Sequence, residues 1–163
     1  EPIGLMNKME AHEKALLHRA FSVFIFNDQQ ELLLQQRAVT KYHSGGLWTN
    51  TCCSHPRPGE PVANAAVRRL KEEMGFETTL SKAFDFTYKA PFSNGLTEHE
   101  FDHVFTGTYN GTVEPNASEV ESYAYYSLSA VDDMLKKDPD SFTVWFHIAF
   151  PKVREWYLKQ QNY

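Results

Sequence analysis

The sequence predicts an α+β fold, a mixed sheet packed between helices in α/β/α order, and three observations carry that expectation. Apolar and aromatic runs recur at strand length, beginning with residues 18–26 (HRAFSVFIF) and 31–36 (ELLLQQ). A helical segment over 61–74 stands between Pro61, suited to a first helical position, and Gly75, suited to the residue past the end. Further strand-like and helix-like stretches follow, with hairpin-like connections between some of them.

In chain order, the first two runs are joined by the Asn27-Asp28 turn and read as a hairpin. Residues 38–46 contain Gly45-Gly46 and read as a loop, and 47–53 as one short buried strand. On the 61–74 helix, Ala63, Val67, Leu70 and Met74 are expected to form an apolar stripe. Val62, Ala66, Arg69 and Glu73 form a second stripe, with Arg69 and Glu73 side by side. Strands are expected over 82–90, 97–109 and 119–127, where Phe, Tyr, Val and Thr are frequent. Ser129 followed by Asp132 suggests a capping box for a helix over 130–137. A last helix is expected over 142–160, kinked at Pro151.

The chain has 163 residues, enough for one domain with a real core, and a single domain over 1–163 is expected. It opens at Glu1 rather than a methionine, so residues ahead of it are expected to be missing. At 42% hydrophobic and 14% aromatic, the composition argues against disorder. A net charge of −5 argues against a general nucleic-acid binder, although a local basic pocket can still hold a small anion. No run is long enough to span a membrane, and no secretory signal is visible. The two cysteines, Cys52 and Cys53, are adjacent and cannot staple a fold. Reduced thiols point to the cytoplasm.

Four groups of residues suggest chemistry. Cys53 and His55 lie two apart on extended chain, hence on one face. Cysteine transfers protons or acts as a nucleophile. The same pair reads as well as a buried structural thiol beside a satisfied histidine. Glu98 and Glu100 share a strand face that Asp102 extends, with His99 pointing away. Neighbouring carboxylates repel unless a cation or proton separates them, but a half-exposed strand with an acidic outer face has the same pattern. His12, His18 and His55 with Glu98 and Glu100 make a nitrogen and oxygen shell suited to manganese, zinc or magnesium. Lys8, Arg37, Lys41 and Arg69 suit a diphosphate if the fold gathers them.

A more specific pattern than these groups runs from Ser54 through five residues to Glu60, then through seven to Arg68-Arg69-Leu70-Lys71-Glu72-Glu73-Met74-Gly75-Phe76. Its spacing resembles the Nudix box, with Ser54 in place of the first glycine and Arg69 in place of a glutamate. The arginine removes a metal ligand and adds a cation, which suits holding a diphosphate better than cleaving it. The stretches HRAFSVFIF, LLLQQR, WTNTCCSHP, RRLKEEMG, FTYKA, EHEFDHVF and TVWF, in this order, resemble type I isopentenyl diphosphate isomerase. The resemblance runs from about Lys8 to beyond Trp145 and implies a Nudix-like α/β/α sandwich.

It also implies a set of roles. Cys53 and Glu100 fall on the catalytic cysteine and glutamate, and Tyr88 on a tyrosine bonded to that glutamate. His12, His18, His55, Glu98 and Glu100 fall on the ligands of a divalent metal (Mn2+, Zn2+ or Mg2+). Glu73 falls on the glutamate that holds Mg2+ bound with the substrate diphosphate. Lys8, Arg37, Lys41 and Arg69 fall on diphosphate contacts, and Trp145 on an aromatic residue of the hydrocarbon pocket. The implied reaction interconverts isopentenyl and dimethylallyl diphosphate by protonation and deprotonation, in isoprenoid synthesis. The expected partner is a small diphosphate, with no nucleic acid or membrane, on a monomer or weak dimer. The rivals are a Nudix hydrolase, against which Arg69 speaks, and a catalytically inert binder, against which the retained Cys53 and ligand set speak.

Overall fold

A computed structural model describes residues 18–41, 44–91 and 97–161. Its strands are β1 (His18–Phe26), β2 (Glu31–Arg37), β3 (Trp48–Thr49), β4 (Cys52–Ser54), β5 (Ser81–Pro91), β6 (Thr97–Thr108) and β7 (Val120–Ser127). Its helices among the described residues are α1 (Val62–Met74), α2 (Leu128–Lys137) and α3 (Val144–Gln161), with a short 3-10 turn at Pro139–Ser141.

The strands form one mixed sheet with β1 at its centre. Along its whole length β1 runs parallel to β6, from His18 opposite Glu100 to Phe26 opposite Thr108. Beyond β6, β5 lies antiparallel and sets Tyr88 opposite Glu100. Alternation along β1 then builds two cores, because successive side chains point to opposite faces. Phe21, Val23 and Ile25 pack with Ala65, Ala66, Leu70 and Met74 of α1. Phe24 and Phe26 pack with Val131 of α2 and with Phe146, Ala149, Phe150 and Val153 of α3. The α+β sandwich expected from the sequence is therefore present.

The expected hairpin forms only at its turn. Asn27 ties the turn, its Oδ1 accepting from the Gln29 and Glu31 amides. Phe26 pairs with Leu32, and there the β1–β2 ladder stops. The next pair of a continuous hairpin would join the Ile25 amide to the Leu33 carbonyl. Here the Thr51 hydroxyl stands between them, accepting from Ile25 N at 2.9 Å and donating to Leu33 O at 2.6 Å. Thr49, Asn50 and Thr51 fill the opening with no exposed surface at all. Asn50 Nδ2 donates to the Val23 and Cys52 carbonyls, at 3.0 and 2.8 Å. Gln35 Nε2 donates to Thr51 O at 2.7 Å, and Thr143 Oγ1 to Thr49 Oγ1 at 2.9 Å. Each of these buried polar side chains thereby has a partner, which such groups require.

The single strand expected over 47–53 is accordingly two strands with this wedge between them. β3 pairs with β2, and β4 with β1. Other boundaries shift for local reasons. Pro61 caps α1 instead of opening it, its carbonyl accepting from the Ala65 amide at 3.0 Å. Ala63 is exposed and Val67 half-buried; the buried stripe is Ala65, Ala66, Leu70, Glu73 and Met74, rotated so that Glu73 reaches partners under the sheet. The cap of α2 is Ser127, whose Oγ accepts from Ala130 N, so the helix starts before the expected Ser129 box. α3 runs on through Pro151. Gly75 ends α1 at φ 77°, where an added Cβ would stand 2.2 Å from the Glu114 carbonyl oxygen. That close approach lets the Glu114 and Asn116 amides bond the Met74 and Glu73 carbonyls.

Replacing Thr51 with valine keeps the shape and deletes the hydroxyl bridge. It should lower unfolding stability by about 1–3 kcal/mol, measured as a shift of the urea midpoint, because one donor and one acceptor are left buried without partners.

Candidate active site

Pairing of β4 with β1 decides where the two thiols point. Cys52 stands opposite Val23 and Cys53 opposite Ser22. Cys52 therefore enters the core under α1, fully buried, and Cys53 faces the side of α3. On that side β1 and β6 contribute Ala20, Ser22, Glu100 and Asp102 to a narrow cleft, which Cys53, His55, Arg37 and Trp145 also line.

Cys53 Sγ accepts from Trp145 Nε1 at 3.1 Å and lies 3.6 Å from Asn50 Oδ1, to which the thiol proton can point. Enclosure of the sulfur pushes the thiol up to about 12, against the pull of the Arg37 guanidinium. The Arg37 guanidinium carbon lies 5.1 Å from the centroid of the Trp145 ring. The indole is thus fixed at its edge by the thiol and on a face by a cation.

Glu100 is 6% exposed and has three neighbours of hydrogen-bonding type. The Tyr88 hydroxyl donates to Oε1. His55 Nε2 lies 2.5 Å and His18 Nε2 3.2 Å from Oε2. Burial pushes this carboxyl up, but the charge of His55 and hydrogen bonds from His18, His55 and Tyr88 outweigh it and hold the group well below the usual carboxylate range. The two imidazole Nε2 atoms are themselves 3.1 Å apart. Protons cannot satisfy all three sides of this triangle: if both nitrogens donate to Glu100, their N–H groups oppose each other. Ligands about 2.1 Å from a shared divalent ion stand about 3 Å from one another, so the set fits a metal.

A second cluster lies on the α1 side. Glu73 is 4% exposed; its Oε1 accepts from Gln35 Nε2 at 3.0 Å and its Oε2 from Arg69 Nη2 at 2.9 Å. Cys52 Sγ lies 3.5 Å from the same Oε2, and burial first, with the Glu73 charge, drives its pKa well above the ordinary thiol value. Arg69 also pairs with Glu72 and Glu119, and Lys41 lies 3.6 Å from Glu119. In the Nudix-box pattern, Arg68 makes a two-pronged pair with Glu60 at 2.9 Å on each side.

Of the residues singled out by sequence, the structure thus brings together Cys53, His55, Glu100, Tyr88, His18, Arg37 and Trp145, and gathers Glu73, Arg69 and Lys41 apart from them. Lys8 and His12 lie outside the described residues, as does the Glu98 side chain, although its backbone belongs to β6. Sequence reasoning missed Ser22, Asn50 and Glu119. Ser22 left a signal as the lone hydroxyl in an apolar strand, and Asn50 as an amide in a run destined for burial. Glu119 left none.

A profile of the NUDIX domain family matches residues 16–146. The MutT protein of Methanosarcina mazei Go1 superposes with a TM-score of 0.70 at 18% identity, covering 85% of this chain and 94% of its own. Fold and helix signature together define the class: this is a NUDIX-domain protein. The isopentenyl-diphosphate Delta-isomerase of Pectobacterium atrosepticum is 49% identical over 157 residues, covering 96% of this chain and 88% of the relative. That of Burkholderia multivorans is 51% identical over 152 residues, covering 93% and 86%. Within the NUDIX class, the chain belongs to the isopentenyl-diphosphate Delta-isomerase family.

If the His18–His55–Glu100 triangle holds a divalent ion, His55→Ala should release it. Metal analysis of the dialysed protein should then fall from about one equivalent to background, while Cys52→Ala keeps the ion.

Proposed function

We infer that this chain interconverts isopentenyl diphosphate and dimethylallyl diphosphate by moving one proton on and another off the hydrocarbon. The observation that carries the reading is the placement of Cys53 and Glu100 in one cleft, on strands flanking β1 from either side. Their partners on β1 are Ser22 and His18, four residues apart, roughly 13 Å of strand. The two groups thus approach a small hydrocarbon from separate directions. One delivers a proton to the terminal methylene carbon, leaving positive charge on the neighbouring tertiary carbon. The other removes a proton from the next carbon toward the diphosphate, and the double bond closes there. The reverse reaction exchanges the roles.

Water would trap the cation, so the cleft must stay dry. Trp145 and Phe21 line it with apolar surface, Tyr88 and Phe86 pack in one cluster with Trp145, and Trp145 is held in place through Cys53 and Arg37. Its ring supports positive charge, worth about 2 kcal/mol when desolvated. Tyr88 orients the Glu100 carboxylate. His18, His55 and Glu100 would hold a divalent metal (Mn2+, Zn2+ or Mg2+), with His12 and Glu98 completing the shell. A bound ion there supplies fixed positive charge that sets the protonation of its carboxylate ligand.

The diphosphate would meet Arg37, Lys41, Arg69 and Lys8, with Mg2+ shared between it and Glu73. Three of the roughly four lone-pair sites of the Glu73 carboxylate face Gln35, Arg69 and Cys52. With Arg69 also engaging Glu72, the helix carboxylates are committed to a guanidinium, which supports isomerisation over metal-assisted hydrolysis. The acidic charge of −5 supports a small-molecule partner over nucleic acid. Among the described residues, no helix is long and apolar enough to cross a membrane. Exposed large apolar side chains there are Val39, Tyr123, Val144 and Leu158, far apart in sequence, which supports a monomer or weak dimer. Two free cysteines fit a reducing compartment, the cytoplasm.

Proton NMR of isopentenyl diphosphate with the protein and magnesium in deuterated water should show the dimethylallyl isomer carrying deuterium, with no free phosphate. Cys53→Ala should lower the rate by at least about 100- to 10,000-fold, and Cys52→Ala far less. Equal losses from the two would mean that the wrong thiol has been assigned. Tyr88→Phe removes a hydrogen bond to a charged group and should lower kcat about 10- to 100-fold, with a smaller change in KM. A change confined to KM would remove Tyr88 from the proton-transfer step.

A further inference from the structure

Glu119, just ahead of β7, has no part in the reading above. Its Oε1 lies 2.5 Å from Arg69 Nη2 and 3.6 Å from Lys41 Nζ. These cations come from α1 and from the segment after β2. The Glu119 backbone is tied to both surroundings: its carbonyl accepts from the Ala38 amide, and its amide donates to Asn116 O, whose own amide bonds Glu73 O. The carboxylate is therefore held in register with both cations by the fold.

Arg69 is also engaged by Glu73 and by Glu72, which Arg68 shares, so three carboxylates surround it and one of them, Glu119, also faces Lys41. A guanidinium already facing three carboxylates, and an ammonium facing one of them, attract a further anion only weakly. A bare diphosphate must displace Glu119 from both cations and then remain beside Glu73 and Glu119. A diphosphate carrying a divalent cation brings its own counter-charge. That charge gives the carboxylates a new partner and frees Arg69 and Lys41 for phosphate oxygens.

We propose that Glu119 is a positioning residue that acts as a resident counter-anion for Arg69 and Lys41, so that the site selects the metal complex of a diphosphate over the bare anion. The proposal rests on the reading of Arg69 and Lys41 as diphosphate contacts, and the test separates the two.

Inorganic diphosphate is titrated calorimetrically into the full chain, with and without magnesium. Wild type is compared with Glu119→Gln, Arg69→Gln and Glu77→Gln, the last removing an exposed partner of Lys71. Thermal unfolding confirms that each variant is folded. Wild type should bind the magnesium complex more tightly than the bare anion. Glu119→Gln should bind bare diphosphate about five- to tenfold more tightly than wild type, so that the preference for the magnesium complex narrows, while Glu77→Gln matches wild type. Unchanged or weaker binding of bare diphosphate by Glu119→Gln, with Arg69→Gln clearly impaired, overturns the proposal: Glu119 would then be a scaffold for the cations. If Arg69→Gln binds diphosphate as wild type does, the reading of Arg69 fails first and the proposal with it.

Discussion

A single hydroxyl group holds open the gap on which the candidate site depends. The Thr51 side chain takes the place of a backbone hydrogen bond between Ile25 and Leu33, and β1 and β2 part from that point. If they stayed paired, β2 would cover the edge of β1 along its length. β4 would then have no edge to join, and Cys53 could not stand opposite Ser22. Opening a hairpin inside a core exposes backbone groups to a site without water, which costs far more than it returns unless each finds a partner. Thr49, Asn50, Thr51 and Gln35 are those partners, and so the segment is polar though wholly enclosed.

From that opening, strand alternation does the rest. One face of the sheet carries Cys53, Glu100 and Asp102 toward α3, and the other carries Cys52 toward α1 and Glu73. The cleft thus opens on one face of the sheet, and Cys52 reaches Glu73 on the other. Both sides are anchored by fully buried side chains such as Phe21, Leu70, Phe146 and Phe150, each worth roughly 1.5–3 kcal/mol of burial. Rigid packing of this kind keeps Trp145 and Tyr88 in place around the cleft.

Much of this was legible in the sequence where periodicity is strong. The 18–26 run, the 61–74 helix and the later strands lie within a residue or two of where the pattern puts them. Side-by-side placement of Arg69 and Glu73 follows from helical spacing, and the shared face of Glu100 and Asp102 from strand spacing. The break inside 47–53 was not legible, because hydroxyl and amide groups replacing a backbone ladder look in sequence like ordinary strand residues. Nor could Ser127 be told from Ser129 as a cap, since both precede the same apolar run. Ala63 shares its helix face with the buried Leu70 and Met74 but stands in the first turn and is exposed, which residue spacing alone does not reveal. Glu119 was beyond reach, because it meets Arg69 across 50 positions with no pattern linking them.

β4 has only three residues, and its neighbours on either side already hold fixed partners. Asn50 and Thr51 are locked into the opening on one flank and His55 meets Glu100 on the other. Within this stretch, chain length matters as well as the side chains. Insertion or loss of a single residue between Asn50 and His55 would turn the strand over, presenting the wrong thiol to the cleft and swinging the imidazole to the opposite face. A lineage descended from this chain is therefore held to one spacing there, whatever substitutions it accepts elsewhere.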